Sequence, residues 1–139
     1  QARDRRLRPF AEPASAPEKN VIDGKVPPGA NEIVRDVATG RQVEMSRRSG
    51  ASRLPHGAEV SASGTYRLEI HPEDPLSALC EAAWTTTQAR GRWKIRVETR
   101  TRLTSDSGSF RLDAEMVAFS GAKTVSRRRW RARIPRRCL

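Results

Sequence analysis

Apolar and polar residues alternate from Trp93 to Phe119 in the pattern typical of two half-buried strands. On the first strand the even-numbered positions are charged: Lys94, Arg96, Glu98, Arg100 and Arg102. On the second strand the even-numbered positions are apolar: Phe110, Leu112, Ala114, Met116 and Ala118. A period of two is that of a β-strand, and a short turn rich in serine and glycine joins paired strands. This stretch therefore predicts a β-hairpin.

The charges also predict the register of this hairpin. If Asp106 to Ser109 form a four-residue loop, Ser105 lies opposite Phe110. The pairs that follow are Leu103 with Leu112, Arg102 with Asp113, and Arg100 with Glu115. Opposite charges then meet on one face and aliphatic side chains on the other. A shift by one residue would mix the two faces, so this register is favoured.

Further alternating segments flank the hairpin. The sequence TYRLEI after Gly64 predicts a strand, which the prolines of HPEDP end. A long strand follows from Leu76 to about Thr87, and a last one from Thr124 to Ile134. The residues expected to point inward on the long strand are Leu76, Ala78, Cys80, Ala82 and Trp84. Because five consecutive strands are joined by short turns, the sequence predicts an all-β antiparallel meander.

The region before Gly64 is less regular. We expect residues 1–30 to form an extended lead-in segment, and residues 31–139 to form a β-sandwich domain whose core meander is 64–135. The lead-in is expected to be ordered only where four apolar residues find a surface: Leu7, Phe10, Val21 and Ile22. Glu32 to Val37 and Gln42 to Met45 predict a hairpin, and Ser46 to Gly57 predict a loop.

The meander is apolar on one face only, so that face requires a covering layer. Its dry face offers roughly a dozen sizeable side chains, each stabilising by about 1.5–3 kcal/mol if fully buried. A sheet of this kind packs against a second sheet or another domain. Glu32 to Met45 is too short to supply that layer, so we expect part of the covering surface to come from elsewhere, with sequence before Gln1 as one source.

The composition adds a strong positive charge. The formal net charge is +11, from 27 basic and 16 acidic residues. That charge suits a nucleic acid or another anionic partner. However, 23 of the basic residues are arginines scattered over the whole chain, which coding bias explains equally well. Cys80 and Cys138 match no metal spacing; a disulfide between them is the less favoured alternative to two free thiols.

Catalytic motifs are absent from the sequence. The two histidines, His56 and His71, lie in proline-containing turns. A catalytic interpretation makes His71 a general base oriented by Asp74, but an Asp that caps backbone amides in the turn is the favoured one. The sequence has no G-x-S-x-G elbow, phosphate loop, HExxH or paired Cys/His set. We therefore predict no catalytic residue, no cofactor and no metal.

The arginine-rich tail has two interpretations. The candidate nucleic-acid residues are Arg127, Arg128, Arg129, Trp130 and Arg131. In a nucleic-acid site the arginines would contact phosphates and the Trp130 ring would stack on a base. Alternatively, strand parity explains the spacing, with the odd-numbered arginines on the wet face. We favour the structural interpretation, since an arginine-studded edge strand also resists edge-to-edge pairing.

Several motifs in the second half of the sequence resemble those of a known family. The runs HPEDPLSALCEAAW, WKIRVETRTRLTSDSGSFRLDAEMVAFSG and RRRWRARIPRR resemble the C-terminal end of CocE/NonD-type hydrolases, the cocaine esterase-like acyl esterases and X-prolyl dipeptidyl peptidases. The matching positions are Asp74 to Ala78, Trp84, Arg96 to Thr101, Thr104 to Asp106, Ala118 to Gly121, Trp130, and Ile134 to Arg136. The resemblance covers about half the chain, and its value lies in the order of the motifs.

The resemblance implies a jelly-roll-like β-sandwich packed on an α/β-hydrolase domain that bears a Ser-Asp-His triad. No triad motif occurs in this sequence, so no catalytic residue is transferred. We hypothesise a non-catalytic C-terminal β-domain whose partner is that hydrolase domain, in cis or in trans, and which contributes to the rim of an acyl or peptidyl pocket. The alternatives are a basic nucleic-acid-binding module, and a sandwich that binds carbohydrate or a protein. Without a signal or membrane-spanning run, a cytoplasmic location is expected.

Overall fold

The computed structural model describes residues 27–137, which form one open antiparallel sheet of seven strands in chain order. Each strand is hydrogen-bonded to the strands before and after it in the sequence. The strands are β1 (Ala30–Arg35), β2 (Gln42–Arg53), β3 (Glu59–His71), β4 (Asp74–Arg90), β5 (Trp93–Ser105), β6 (Ser109–Ser120) and β7 (Lys123–Pro135). The all-β class and the meander predicted from the sequence are confirmed.

The predicted register of the β5–β6 hairpin is confirmed. Ser105 pairs with Phe110. The other observed pairs are Leu103 with Leu112, Arg102 with Asp113, and Arg100 with Glu115. Two-residue turns at Gly91 and Gly121 make the neighbouring hairpins, and both glycines have φ of 57°. This left-handed conformation is costly for residues with a Cβ, which explains glycine there.

The register sorts the side chains onto two faces, because paired residues point to the same side and successive residues to opposite sides. We call one of them the apolar face. It carries Tyr66, Leu68, Cys80, Ala82, Trp84, Ile95, Val97, Leu103, Phe110, Leu112, Ala114, Met116 and Trp130. We call the other the charged face, since most arginines and carboxylates of β3–β7 lie there. The predicted division of the meander's side chains between an apolar and a charged face is therefore confirmed.

The loop predicted over Ser46 to Gly57 was wrong. β2 continues to Arg53, and the connection shrinks to residues 54–58, where the Leu54 amide donates to the Ala58 carbonyl at 2.8 Å. β3 correspondingly begins at Glu59 instead of Gly64. Backbone pairing with β3 explains this conformation, for example where Gly50 lies opposite Ala62. Such pairing does not depend on an alternation of apolar and polar residues, which the sequence lacks here. Residues 1–26 of the predicted lead-in, including Leu7, Phe10, Val21 and Ile22, lie outside the described residues.

The β1–β2 hairpin predicted from the sequence is confirmed, and it extends the sheet sideways. β1 pairs with β2 from Ala30 opposite Arg47 to Arg35 opposite Gln42. It therefore adds an edge strand and does not form a second layer. Within residues 27–137 only two hydrophobic side chains, Ala58 and Val117, are well buried. The described part of the chain is one layer.

Candidate functional site

The structure separates the five predicted nucleic-acid residues onto two faces. Arg127, Arg129 and Arg131 lie on the charged face of β7, opposite Val117, Glu115 and Asp113. Arg128 and Trp130 lie on the apolar face, where Trp130 pairs with Ala114. A phosphate held by the three arginines of the charged face would therefore lie on the opposite side of the sheet from the Trp130 ring. The sequence motif does not become one site.

The arginines of β7 also have carboxylate partners. The Arg129 Nε donates to Glu115 Oε1 at 2.7 Å, and Arg127 approaches the same oxygen at 3.8 Å. Arg131 lies 3.2 Å from Asp113. The hydrogen bond from Arg129 is the main cause that lowers the pKa of Glu115. These arginines lie on the charged face, as the structural interpretation of the tail predicts, and there they form ion pairs with carboxylates of β6.

Asp106 joins the β5–β6 turn to the end of β7. Its carboxylate accepts hydrogen bonds from the Ser109 side chain at 2.9 Å and from the Gly108 amide at 3.0 Å. The Arg111 guanidinium donates to the second oxygen at 2.9 Å. The Arg136 Nη1 donates to the Asp106 carbonyl at 3.1 Å. Asp106 is therefore a structural node that holds the C-terminal end of the sheet.

These contacts predict a pH dependence of stability. The Ser109 hydroxyl, followed by the Gly108 amide, lowers the pKa of Asp106 from 3.8 to about 2. Because this pKa is lower in the folded state, the contribution is present above pH 4 and is lost as the pH falls through about 2. The thermal midpoint of wild type should fall more steeply between about pH 4 and pH 2 than that of Asp106→Asn. Parallel slopes would contradict this role, and Ser107→Ala in the same turn should behave as wild type.

The histidines are not arranged for catalysis. Asp74 Oδ1 accepts a hydrogen bond from the Leu76 amide at 2.9 Å, so this carboxylate caps its turn as expected. The His71 amide donates to the Ser77 hydroxyl at 2.8 Å. His56 lies in the β2–β3 connection, at the opposite end of β3 from His71, beside a cavity of about 400 Å³ that Trp93 also lines. Within residues 27–137 these contacts make the His71 turn a structural feature.

Cys80 lies on the apolar face, half-buried and opposite Leu103. Cys138 lies outside the described residues, so the pairing considered above stays untested. Among the residues that the structure describes, no group of three or more His, Cys, Asp and Glu is placed to hold a metal ion. The same residues include no helix that could span a membrane.

A groove that the sequence did not predict crosses the charged face. It has a volume of about 610 Å³ and runs from β2 to β7 between two cross-strand rows of side chains. The first row is Met45, Arg67, Glu81, Arg102, Asp113 and Arg131. The second row is Arg47, Thr65, Ala83, Arg100, Glu115 and Arg129. The row between them also borders the groove, and the register places its side chains on the apolar face: Ser46, Tyr66, Ala82, Thr101, Ala114 and Trp130.

A second groove lies beside the first one. Its volume is about 560 Å³, and Ser49, Ser63, Thr85 and Glu98 form its far side. Both grooves share Arg47, Thr65, Ala83 and Arg100. The two grooves therefore adjoin along this row, and we call the space above the small side chains of Thr65 and Ala83, with Arg47 and Arg100 at its ends, the basin. Only the full register reveals this basin, since its residues are spread over four strands.

The apolar face offers the other candidate surface. Trp84 lies over Gly64, where the nearest ring atom is 2.3 Å from the position that a Cβ would occupy. Tyr66 meets the Trp84 ring edge-on, with centroids 5.6 Å apart. Several large side chains of this face are strongly exposed: Leu68 is 45%, Trp130 45% and Ile134 47% exposed. No family model, curated protein or solved structure matches this chain.

Proposed function

We propose that this chain is the non-catalytic C-terminal β-domain, or a detached remnant, of a CocE/NonD-type serine hydrolase that acts on acyl esters or X-prolyl peptides. The meander is then one sheet of a jelly-roll-like β-sandwich, and its apolar face packs against a second layer. An α/β-hydrolase domain, in cis or in trans, supplies the triad. This chain covers that domain and contributes to the rim of its pocket.

The uncovered apolar face is the observation that carries the proposal. Strands β3–β7 present an area of roughly 40 Å by 19 Å, or about 800 Å², on that side. One partner in a standard protein interface buries about 800 Å², so the face is large enough for a stable second layer. Exposed patches larger than a few hundred Å² on a soluble protein mark interaction surfaces. Leu68, Trp130 and Ile134 are therefore expected to be buried in the assembled protein.

Two segments that carry the family resemblance have a structural role. Thr104 to Asp106 form the end of β5 and its turn, and Ile134 to Arg136 form the end of β7 and the residue after it. They meet through the Arg136 Nη1 bond to the Asp106 carbonyl, at 3.1 Å. The Arg136 guanidinium also lies over the Phe110 ring, 5.1 Å from its centroid. These contacts stabilise the sheet, which is the role expected of such motifs in a non-catalytic β-domain.

The coding sequence upstream of Gln1 tests this proposal. We expect it to encode, in frame or in an adjacent gene, an α/β-hydrolase domain with a G-x-S-x-G nucleophile elbow. The chain by itself should hydrolyse p-nitrophenyl esters and X-prolyl amides at the background rate. Robust turnover by this chain that is lost on substitution of one of its own serines would contradict the proposal, as would the absence of a hydrolase domain both from the upstream sequence and from the adjacent genes.

A further inference from the structure

We infer that the basin on the charged face binds an extended acidic peptide, with one carboxylate at Arg47 and a second at Arg100. Both arginines are exposed, and they lie at opposite ends of the row that the two grooves share. Thr65 and Ala83 lie between them and leave room above the sheet. The basin therefore has two cations separated by small, uncharged side chains.

Arg47 and Arg100 differ from the other arginines of the groove. Arg67, Arg102, Arg129 and Arg131 each form an ion pair with a carboxylate of a neighbouring strand. Within residues 27–137 no carboxylate lies within ion-pair distance of Arg47 or Arg100. Arg100 does contribute to the field that lowers the pKa of Glu115, so it faces one acidic neighbour at longer range. These two guanidinium groups are available to an external anion.

The spacing of the two arginines defines the ligand. They lie on β2 and β5, three strand positions apart, which corresponds to about 14 Å between their backbones. Four residues of an extended peptide span about 13 Å, and residues i and i+4 point to the same side. A peptide with acidic residues at i and i+4 can therefore reach both arginines. Small residues between them fit above Ala83, and the Thr65 hydroxyl can bond to the peptide backbone.

Charge and the absence of stacking side chains favour a peptide over a nucleic acid. Glu81, Asp113 and Glu115 alternate with the arginines of the groove, so a phosphate at every nucleotide would meet carboxylates. Tyr66 and Trp130 also border the groove, but the register places their side chains on the apolar face, so their rings lie on the other side of the sheet from the groove's arginines. A peptide whose two carboxylates are separated by neutral residues matches the charge pattern better.

Fluorescence anisotropy with the full chain tests this inference. The probe is a labelled peptide of about seven residues with blocked ends, glutamates at its second and sixth positions, and glycine and serine elsewhere. We expect saturable binding that Arg47→Gln with Arg100→Gln weakens about tenfold, as two exposed ion pairs allow. The matched control, Arg92→Gln with Lys123→Gln, removes the same charge outside the basin, at the β4–β5 turn and at the first residue of β7. It should change the affinity by less than about twofold.

A second peptide, with the same composition but adjacent glutamates, should bind about threefold or more weakly, because it reaches only one arginine. Equal losses for both double variants would overturn the inference and indicate nonspecific charge attraction. Tighter binding of a single-stranded oligonucleotide, sensitive to Arg47 and Arg100, would also overturn it in favour of nucleic acid. Since the basin lies on the face opposite the apolar one, these outcomes are independent of whether a hydrolase domain is found.

Discussion

Leu103→Glu is expected to lower the free energy of unfolding of the proposed assembly with a hydrolase domain by about 3–5 kcal/mol, because it buries an uncompensated charge. Leu103 lies on the apolar face, opposite Cys80 and Leu112. In the proposed assembly the second layer removes water from this position. In the chain without its covering layer, the same glutamate stays partly solvated, and the loss should be much smaller.

Thr104→Glu is the matched control for this prediction. Thr104 is the next residue of β5 and points to the charged face, opposite Arg111. A glutamate there gains a basic neighbour and should leave the stability of the assembled protein nearly unchanged. Chemical denaturation of six proteins, wild type and each variant with and without the proposed hydrolase domain, provides the comparison. Equal effects of both variants in the assembled protein would contradict a covered apolar face.

Gly64→Ala is expected to destabilise the chain itself by about 1–3 kcal/mol, the usual cost of overpacking. The new Cβ would lie 2.3 Å from Cδ2 of Trp84, so the indole must move. Its edge-on contact with Tyr66 would then be lost as well. The Gly108→Ala control places a Cβ no nearer than 3.9 Å to Asp106 Oδ1, and should have little effect.

A double variant tests the cause of the Gly64 effect. Trp84→Leu shortens the side chain that occupies the space above Gly64. If the clash is the cause, Gly64→Ala should cost less in the Trp84→Leu background than in wild type, as measured by a double-mutant cycle in urea. Additive effects would show instead that Gly64 is required for its backbone and not for the room that it leaves.

The central hairpin could be predicted because its charges are informative. Arg102 and Asp113, with Arg100 and Glu115, fix one register of β5 on β6, and the structure has that register. The second half of β2 could not be predicted, since Ser49, Gly50 and Ala51 carry no alternation. Their strand conformation comes from pairing with β3, a contact between residues distant in the sequence.

The two candidate surfaces, the apolar face and the basin, also differ in how far the sequence predicts them. The apolar face follows from the period-two pattern, so the sequence predicted its residues, whereas the expected covering layer stays a prediction. The basin depends on Arg47 and Arg100 lying in one row, and that requires the register of three strand pairs. The arginines around Trp130 are adjacent in sequence but divided between two faces, so proximity along the chain suggested a site that the sheet separates.

Thiol labelling of Cys80 in the assembled natural protein tests the central claim most directly. Cys80 lies on the apolar face, and Cys138→Ser removes the other thiol of this chain. We expect Cys80 to be protected from maleimide under native conditions, while a cysteine introduced at Arg102 on the charged face reacts readily. Rapid native labelling of Cys80, at the rate seen at position 102, would show that no second layer covers the sheet.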